Sequence, residues 1–234
     1  MNMLKKLILS IFIVFLFPNF ENEELIYSVE IEGLSIITGA IGKCNLKFNK
    51  INENEYQMDI ITKTTKLAKI IYPYFDSIKL SLDNNLSLLK LNHLTKSNKK
   101  REISSEINKI DKTIISNGKK LDFYNDTLFS PYSLIYFLRK KNIALNDRYN
   151  YKVLDGEKIK NILLKVAKIE KIKVPYGTFE CLNITPVNDK NLIKNNGVLE
   201  IWYTNDNNKI PIKIKLNTKI GTFIMKLNKI IENE

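Results

Sequence analysis

Apolar and polar residues alternate one by one through most of this chain, and that period restricts the fold more than any other feature. Leu25, Tyr27, Val29 and Ile31 alternate with Ser28 and Glu30, and Tyr56, Met58 and Ile60 with Glu55, Gln57 and Asp59. Ile210, Ile212, Ile214 and Leu216 alternate with Lys209, Lys213 and Lys215, and Phe223, Met225 and Leu227 with Lys226 and Asn228. Successive side chains of a strand point to opposite faces, so each run makes a strand with one dry and one wet face. Such one-sided strands belong to antiparallel sheets.

Turn residues separate the runs at short intervals. Asn84-Asn85, Asn117-Gly118, Asp155-Gly156, Pro175-Tyr176-Gly177 and the stretch Asn205 to Asn208 all supply residues that tolerate positive φ. Strands joined this way predict an antiparallel meander of about ten to twelve strands. Residues 159–173 fit both a helix (Ile159, Ile162, Leu163, Val166, Ile169) and a strand (Ile162, Leu164, Val166). The turn signals on either side favour a strand pair closing on Thr178 to Thr185.

One segment breaks the period. Ser130 is a good helix N-cap, Pro131 suits the first turn, and Leu134, Phe137 and Leu138 form a stripe at helical spacing. Arg139, Lys140 and Lys141 then sit at the negative end of the helix dipole. The expectation is one helix, at about 128–141, covering the apolar face of the sheet.

The first residues read as an address. Lys5 and Lys6 precede the apolar run Leu7 to Phe17, and an acidic, polar chain begins at Glu21. The run is shorter than the roughly 17–25 residues of a membrane span and fits an export signal over residues 1–20. Phe17 to Phe20 offer no small residue for cleavage, so an uncleaved anchor is the alternative; no Cys follows to accept a lipid. Residues 21–234 then form one domain, since no Pro, Gly or Ser-rich linker divides them. An exported, periplasmic location follows, with a membrane tether if the signal is retained.

The formal charge of +12 loses the two charges of Lys5 and Lys6 when the signal is removed. The remaining excess favours anionic lipid headgroups or acidic envelope polymers, through Lys96 to Arg101 or Arg139 to Lys141. Neither run carries the interleaved aromatics of a single-strand nucleic-acid platform, so nucleic acid is not expected as a partner. Cys44 and Cys181 permit a single pairing, and two buried thiols are favoured over a disulfide.

Three segments together resemble a family of exported bacterial proteins, the domain of unknown function 3108. Asp126 to Tyr132, running on to Tyr136-Phe137-Leu138-Arg139, is similar to the family's helix motif, with Phe129 as an extra residue between Leu128 and Ser130. Val174-Pro175-Tyr176-Gly177-Thr178-Phe179 resembles its "TP-x-GTF" hairpin, with Pro186 at the later proline. Leu199 to Pro211, through Trp202, Asp206 and Pro211, resembles its "LW, then D, then IP" hairpin, and Tyr27 followed by Gly33 fits its opening strand. The resemblance implies export and a mainly β, antiparallel meander forming a curved open barrel or half-barrel. It implies no activity. Its general plan is similar to that of the open-barrel lipoprotein carriers of the bacterial envelope, a likeness of fold alone.

Chemistry is sparse. The single histidine, His93, shares parity with Leu89 and Leu91 and reads as core-facing rather than catalytic. No phosphate loop, paired-Cys zinc pattern or nucleophile elbow occurs, so no cofactor, metal or catalytic residue is expected. Asp126, Ser130, Pro175, Gly177, Phe179, Asp206 and Pro211 read as structural: caps and turns, with Asp206 accepting backbone hydrogen bonds. Arg139 either caps the helix or pairs with Asp126. Trp202, on the strand face opposite Leu199, Ile201 and Tyr203, either packs under the helix or lines a cavity. The leading expectation is a non-enzymatic envelope protein that holds an apolar ligand, lipid or acyl chain, through Tyr132, Tyr136, Phe137, Arg139 and Trp202. The alternatives are a scaffold module binding an envelope protein and, further off, a polysaccharide hydrolase with two carboxylates.

Overall fold

The computed structural model describes residues 20–32, 39–123, 127–187, 199–218 and 221–232. The apolar run of residues 7–17, and with it the expected export signal, lies outside them.

The alternation becomes a single antiparallel sheet. The chain first runs through β1 (Glu23–Glu32), β2 (Gly42–Asn52), β3 (Glu55–Thr64), the short helix α1 (Ala68–Ile71), β4 (Phe75–Asp83), β5 (Leu88–Lys96), β6 (Lys100–Asn108), β7 (Thr113–Ser116) and β8 (Lys119–Asp122). After helix α2 (Pro131–Arg139) come β9 (Arg148–Asp155), β10 (Lys158–Val174), β11 (Gly177–Pro186), β12 (Leu199–Thr204), β13 (Pro211–Thr218) and β14 (Gly221–Glu232). Each strand pairs with its sequence neighbour except at α2, and β14 returns to pair with β1, so the order is β8 through β1, then β14 through β9. The two end strands, β8 and β9, do not pair with each other, so the sheet is an open barrel with a seam between them.

Fourteen strands among the described residues exceed the ten to twelve expected. The expectation assumed ordinary strand lengths, whereas β7 and β8 are four-residue strands around Asn117-Gly118, whose positive φ values of 47° and 78° close a tight turn. The ambiguous stretch 159–173 is strand. β10 is long enough to serve two hairpins, pairing with β9 over Lys158–Lys165 and with β11 over Leu164–Val174. The brief α1 carries too few residues to leave a helical period in the sequence.

Burial follows parity. β1 alternates from buried Glu23, Leu25, Tyr27 and Val29 to half-buried neighbours, and β2, β3 and β4 repeat the pattern. The inner face wraps α2, whose Leu134, Ile135, Tyr136 and Leu138 are all at most 2% exposed. Tyr136 stacks on Phe48 with centroids 4.3 Å apart, and Phe20 closes edge-on against both rings. Phe20, 3% exposed, is thus a core residue, and the folded unit takes in the last residue of the expected signal.

The helix ends are set locally. Ser133 N–H donates to Ser130 Oγ and Ser130 N–H to Ser133 Oγ, a reciprocal capping box with Pro131 in the first turn. Such a cap stabilises by about 1 kcal/mol. The segment before it bridges the start of β5 and the β9 edge. Leu88 N–H donates to Leu128 O, Phe129 N–H to Lys152 O and Leu154 N–H to Phe129 O, which covers the β9 edge. The β8 edge is blunted by its shortness and by Lys119 and Lys120.

Candidate functional site

Helix and barrel differ in length. Nine helical residues rise about 13 Å, whereas a ten-residue strand spans about 33 Å, so α2 fills only part of the enclosed volume. Its last turn lies against Glu23 at the start of β1, and its first turn reaches Tyr27 and Val29 further along. Beyond that first turn the inward positions are small, Val29, Cys44 and Thr62, and a cavity of about 50 Å³ remains.

The cavity is apolar on most of its wall. Leu46, Ile60, Ile78, Ile135 and Ile214 form its floor; Thr62, Tyr74, Tyr132, Leu216 and Met225, all half-buried, stand at its outer end with Phe223. Asp76 supplies the one charge, and the structure supplies its partners: His93 Nε2 lies 2.8 Å from Asp76 Oδ1, and Thr95 Oγ1 donates to the same oxygen at 2.7 Å. Burial, and then the Asp76 carboxylate, hold the Tyr74 and Tyr132 hydroxyls far above the usual tyrosine range. Burial likewise pushes the Cys44 thiol up to about 11, against a hydrogen bond with Thr62 that favours the thiolate. These three groups are therefore neutral donors and acceptors at neutral pH.

Asp76, His93 and Thr95 do not form a nucleophilic triad. A catalytic imidazole gives one nitrogen to the carboxylate and the other to the nucleophile. Here Thr95 Oγ1 approaches the same Nε2, at 3.1 Å, and its proton is committed to Asp76. The trio satisfies a carboxylate only 6% exposed. Among the described residues no cluster of three or more His, Cys, Asp or Glu is placed to hold a metal ion, and no helix is long and apolar enough to cross a membrane.

The structure distributes the expected binding residues over four places. Tyr132 lines the cavity. Tyr136 and Arg139 lie at the far end of α2, where Tyr136 donates to Glu23 Oε1 at 2.7 Å and Arg139 forms a buried ion pair with the same carboxylate. Arg139 Nε also donates to Asn208 O at 3.2 Å. Burial alone would lower the guanidinium pKa; Glu23, then Tyr136, outweigh it and hold it above its ordinary value. Asp126, one of the two alternatives the sequence offered for Arg139, lies outside the described residues. Phe137 packs against Phe129 and Tyr151 near the seam.

Trp202 corrects the expectation on both counts. It is neither under α2 nor at the cavity, because the strand period that brings Tyr203 to Ile135 O carries Trp202 to the opposite face. There its indole donates to Glu170 Oε1 at 2.7 Å, and Lys213 Nζ stands 4.1 Å from a ring centroid.

The turn residues have direct geometry. Asp206 Oδ1 accepts from the Asn208 and Lys209 N–H groups and from Thr204 Oγ1. Pro175 precedes Tyr176, whose N–H donates to Leu227 O, and Phe179 stacks on Tyr176. A Cβ at Gly177 would meet the Phe179 ring at 3.0 Å. Pro211 O accepts the buried Tyr27 hydroxyl at 2.7 Å. Cys44 and Cys181 are both free and buried.

Glu23 and Asp76 escaped the sequence reading although a signal for each was present. Glu23 shares parity with Leu25, Tyr27 and Val29, and Asp76 with Ile78, Leu80 and Leu82. An acid on the dry face of a strand must find a cation or a donor set.

Comparison with solved structures places this architecture. The chain is similar to a β-barrel-like protein of the domain of unknown function DUF1849 from Brucella abortus, with a TM-score of 0.60 and 13% identity over 92% of this chain and 98% of that one. A DUF1089 family protein from Pseudomonas aeruginosa aligns with a TM-score of 0.41 and 10% identity, over 75% and 89% of the two chains. At such identity the first likeness is one of fold. Comparison with curated proteins finds no match. Residues 27–228 match the family described as "Protein of unknown function (DUF3108)", which takes in the barrel, the helix and the cavity, and the chain belongs to that family.

Proposed function

We propose that this is an exported, non-enzymatic envelope protein that takes the end of an apolar chain, lipid or acyl, into the cavity beyond the first turn of α2. The carrying observation is an apolar hollow of about 50 Å³ left where the helix stops short of the barrel's end. An engineered apolar cavity that admits benzene has about 150 Å³, so the resting hollow suits a chain terminus rather than a whole chain. Deeper entry requires Met225 and Phe223 at the outer end to swing aside, and Met, with three free torsions, does so at low cost. Asp76 disfavours an anionic headgroup inside the hollow and leaves it outside. Arg139 is not available for steering, because Glu23 neutralises it. The covered β9 edge and the blunted β8 edge weigh against a partner strand added to the sheet.

The test is native mass spectrometry of the protein isolated without detergent from a bacterial envelope, followed by lipid extraction. The expected result is a co-purifying lipid at up to one per chain, lost in Val29→Phe, which fills the hollow. A chain free of lipid that also fails to take up added lysolipid would overturn the proposal.

A further inference from the structure

The barrel end at which the cavity lies carries an unusual projection. Between β3 and β4, residues 65–74 fold back over the rim, held by Thr65 N–H donating to Ile41 O, Thr64 N–H to Tyr74 O and Tyr72 N–H to Ala68 O. Ala68 is buried and anchors the turn, so its neighbours point away from the barrel. Leu67 and Ile70 are 83% and 84% exposed. Their spacing of three places both on one side of a helical turn. Single exposed aliphatic residues are ordinary on protein surfaces, but here two lie together on a hydrogen-bonded turn.

Basic side chains surround the pair. Lys66 and Lys69 are exposed on the same turn, and Lys96 at the end of β5 and Lys99 in the β5–β6 connection are exposed next to it, placed there by the pairing of Phe75 with Lys63 and Lys96. None of these four lysines is ion-paired with a described residue. Apolar tips within a collar of unpaired cations match an anionic bilayer, whose headgroups meet the lysines while the aliphatic tips enter the acyl boundary.

We infer that the α1 turn, through Leu67 and Ile70 with Lys66 and Lys69, docks the barrel's cavity end onto an anionic lipid surface. The inference stands on surface features and holds whatever the cavity contains. Neither signal alone suffices: two aliphatic tips bind weakly, and lysines contribute only near a charged surface.

A local reporter tests it in the full chain. Cys44 and Cys181 are buried, so a cysteine introduced at the surface takes an environment-sensitive fluorophore selectively. The variants are Ile70→Cys and, as control, Ile110→Cys, 92% exposed in the β6–β7 turn at the opposite end of the barrel. On phosphatidylglycerol-containing vesicles, emission from position 70 shifts to the blue, and that from position 110 does not. The shift is absent on phosphatidylcholine vesicles. Changing Lys66 and Lys69 to Gln weakens partition by roughly five-fold for each lysine. No shift at position 70, or an equal shift at both positions, overturns the inference. So does a shift that grows with protein concentration without vesicles, which would assign the patch to a second copy of the chain.

Discussion

Neutralising one side of the Glu23–Arg139 pair should be among the costliest single changes in the molecule. Glu23→Gln leaves the shape of the site intact and retains an amide oxygen for the Tyr136 hydroxyl, which now donates to Glu23 Oε1 at 2.7 Å. It also leaves the guanidinium of Arg139, 2% exposed, without its counter-charge. Removing one partner of a buried pair costs about 3–5 kcal/mol. At roughly 2–4 °C per kcal/mol for a domain of this size, the melting temperature falls by about 6–20 °C. The assay is urea unfolding at pH 7, in which the midpoint drops while the slope stays constant, the sign of a stability change in an unaltered fold. Adding Arg139→Met removes the stranded charge, and the double variant should recover at least half of the loss, since an absent pair is far less costly than half a pair. A cost under about 1 kcal/mol for Glu23→Gln, or a double variant as unstable as the two single changes added, would refute the reasoning.

Filling the hollow should stabilise slightly: about 24 cal/mol per Å³ over 50 Å³ bounds the gain from Val29→Leu at about 1.2 kcal/mol, measured as a rise in the urea midpoint. Alkaline stability should be limited by buried acids that stay protonated in the fold. Cys44 and Cys181, raised mainly by burial from 9 to about 11 and about 12, keep protons that the unfolded chain releases, so stability is full below about pH 8 and declines as pH rises through 9 to 12. Replacing both with Ala should flatten part of that decline in urea midpoints taken across the range, with the buried tyrosines accounting for the remainder. Phe20 should survive any processing of the N-terminus, because it packs on Phe48, Tyr136 and Arg139; Phe20→Ala should cost about 3–5 kcal/mol, and N-terminal sequencing of the processed protein should begin at or before residue 20.

The fold was legible where one physical rule acted alone. Period two marked β1, β3, β13 and β14, and Ser130 and Pro131 marked the cap and first turn of α2, although the expected span of about 128–141 is wider than the observed Pro131–Arg139. The length of β10 was not, because Ile162 and Val166 satisfy both periods and only cross-strand pairing on two sides decides between them. Of the site, Tyr132 was named from the sequence as a binding residue, but most of the wall comes from strands β1 to β4 and β13 to β14, which meet only through the closure of β14 on β1. Trp202 shows the limit most plainly. Its size suggested an interior role, whereas parity carries it outward to Glu170 and Lys213, and weight given to parity over hydrophobicity would have placed it correctly. The same rule applied to Glu23 and Asp76 would have predicted two buried carboxylates and sent the search toward Arg139 and His93.

The most direct test of the cavity reading is methyl NMR on the protein labelled at isoleucine, titrated with a medium-chain lysophosphatidylglycerol below its micelle concentration. Ile60, Ile78, Ile135 and Ile214 all face the hollow, whereas Ile110 and Ile115 are exposed elsewhere. Saturable shifts of the four cavity methyls with a common dissociation constant, and none at Ile110 or Ile115, are the predicted result. Cavity methyls that stay in place through the titration would contradict the account.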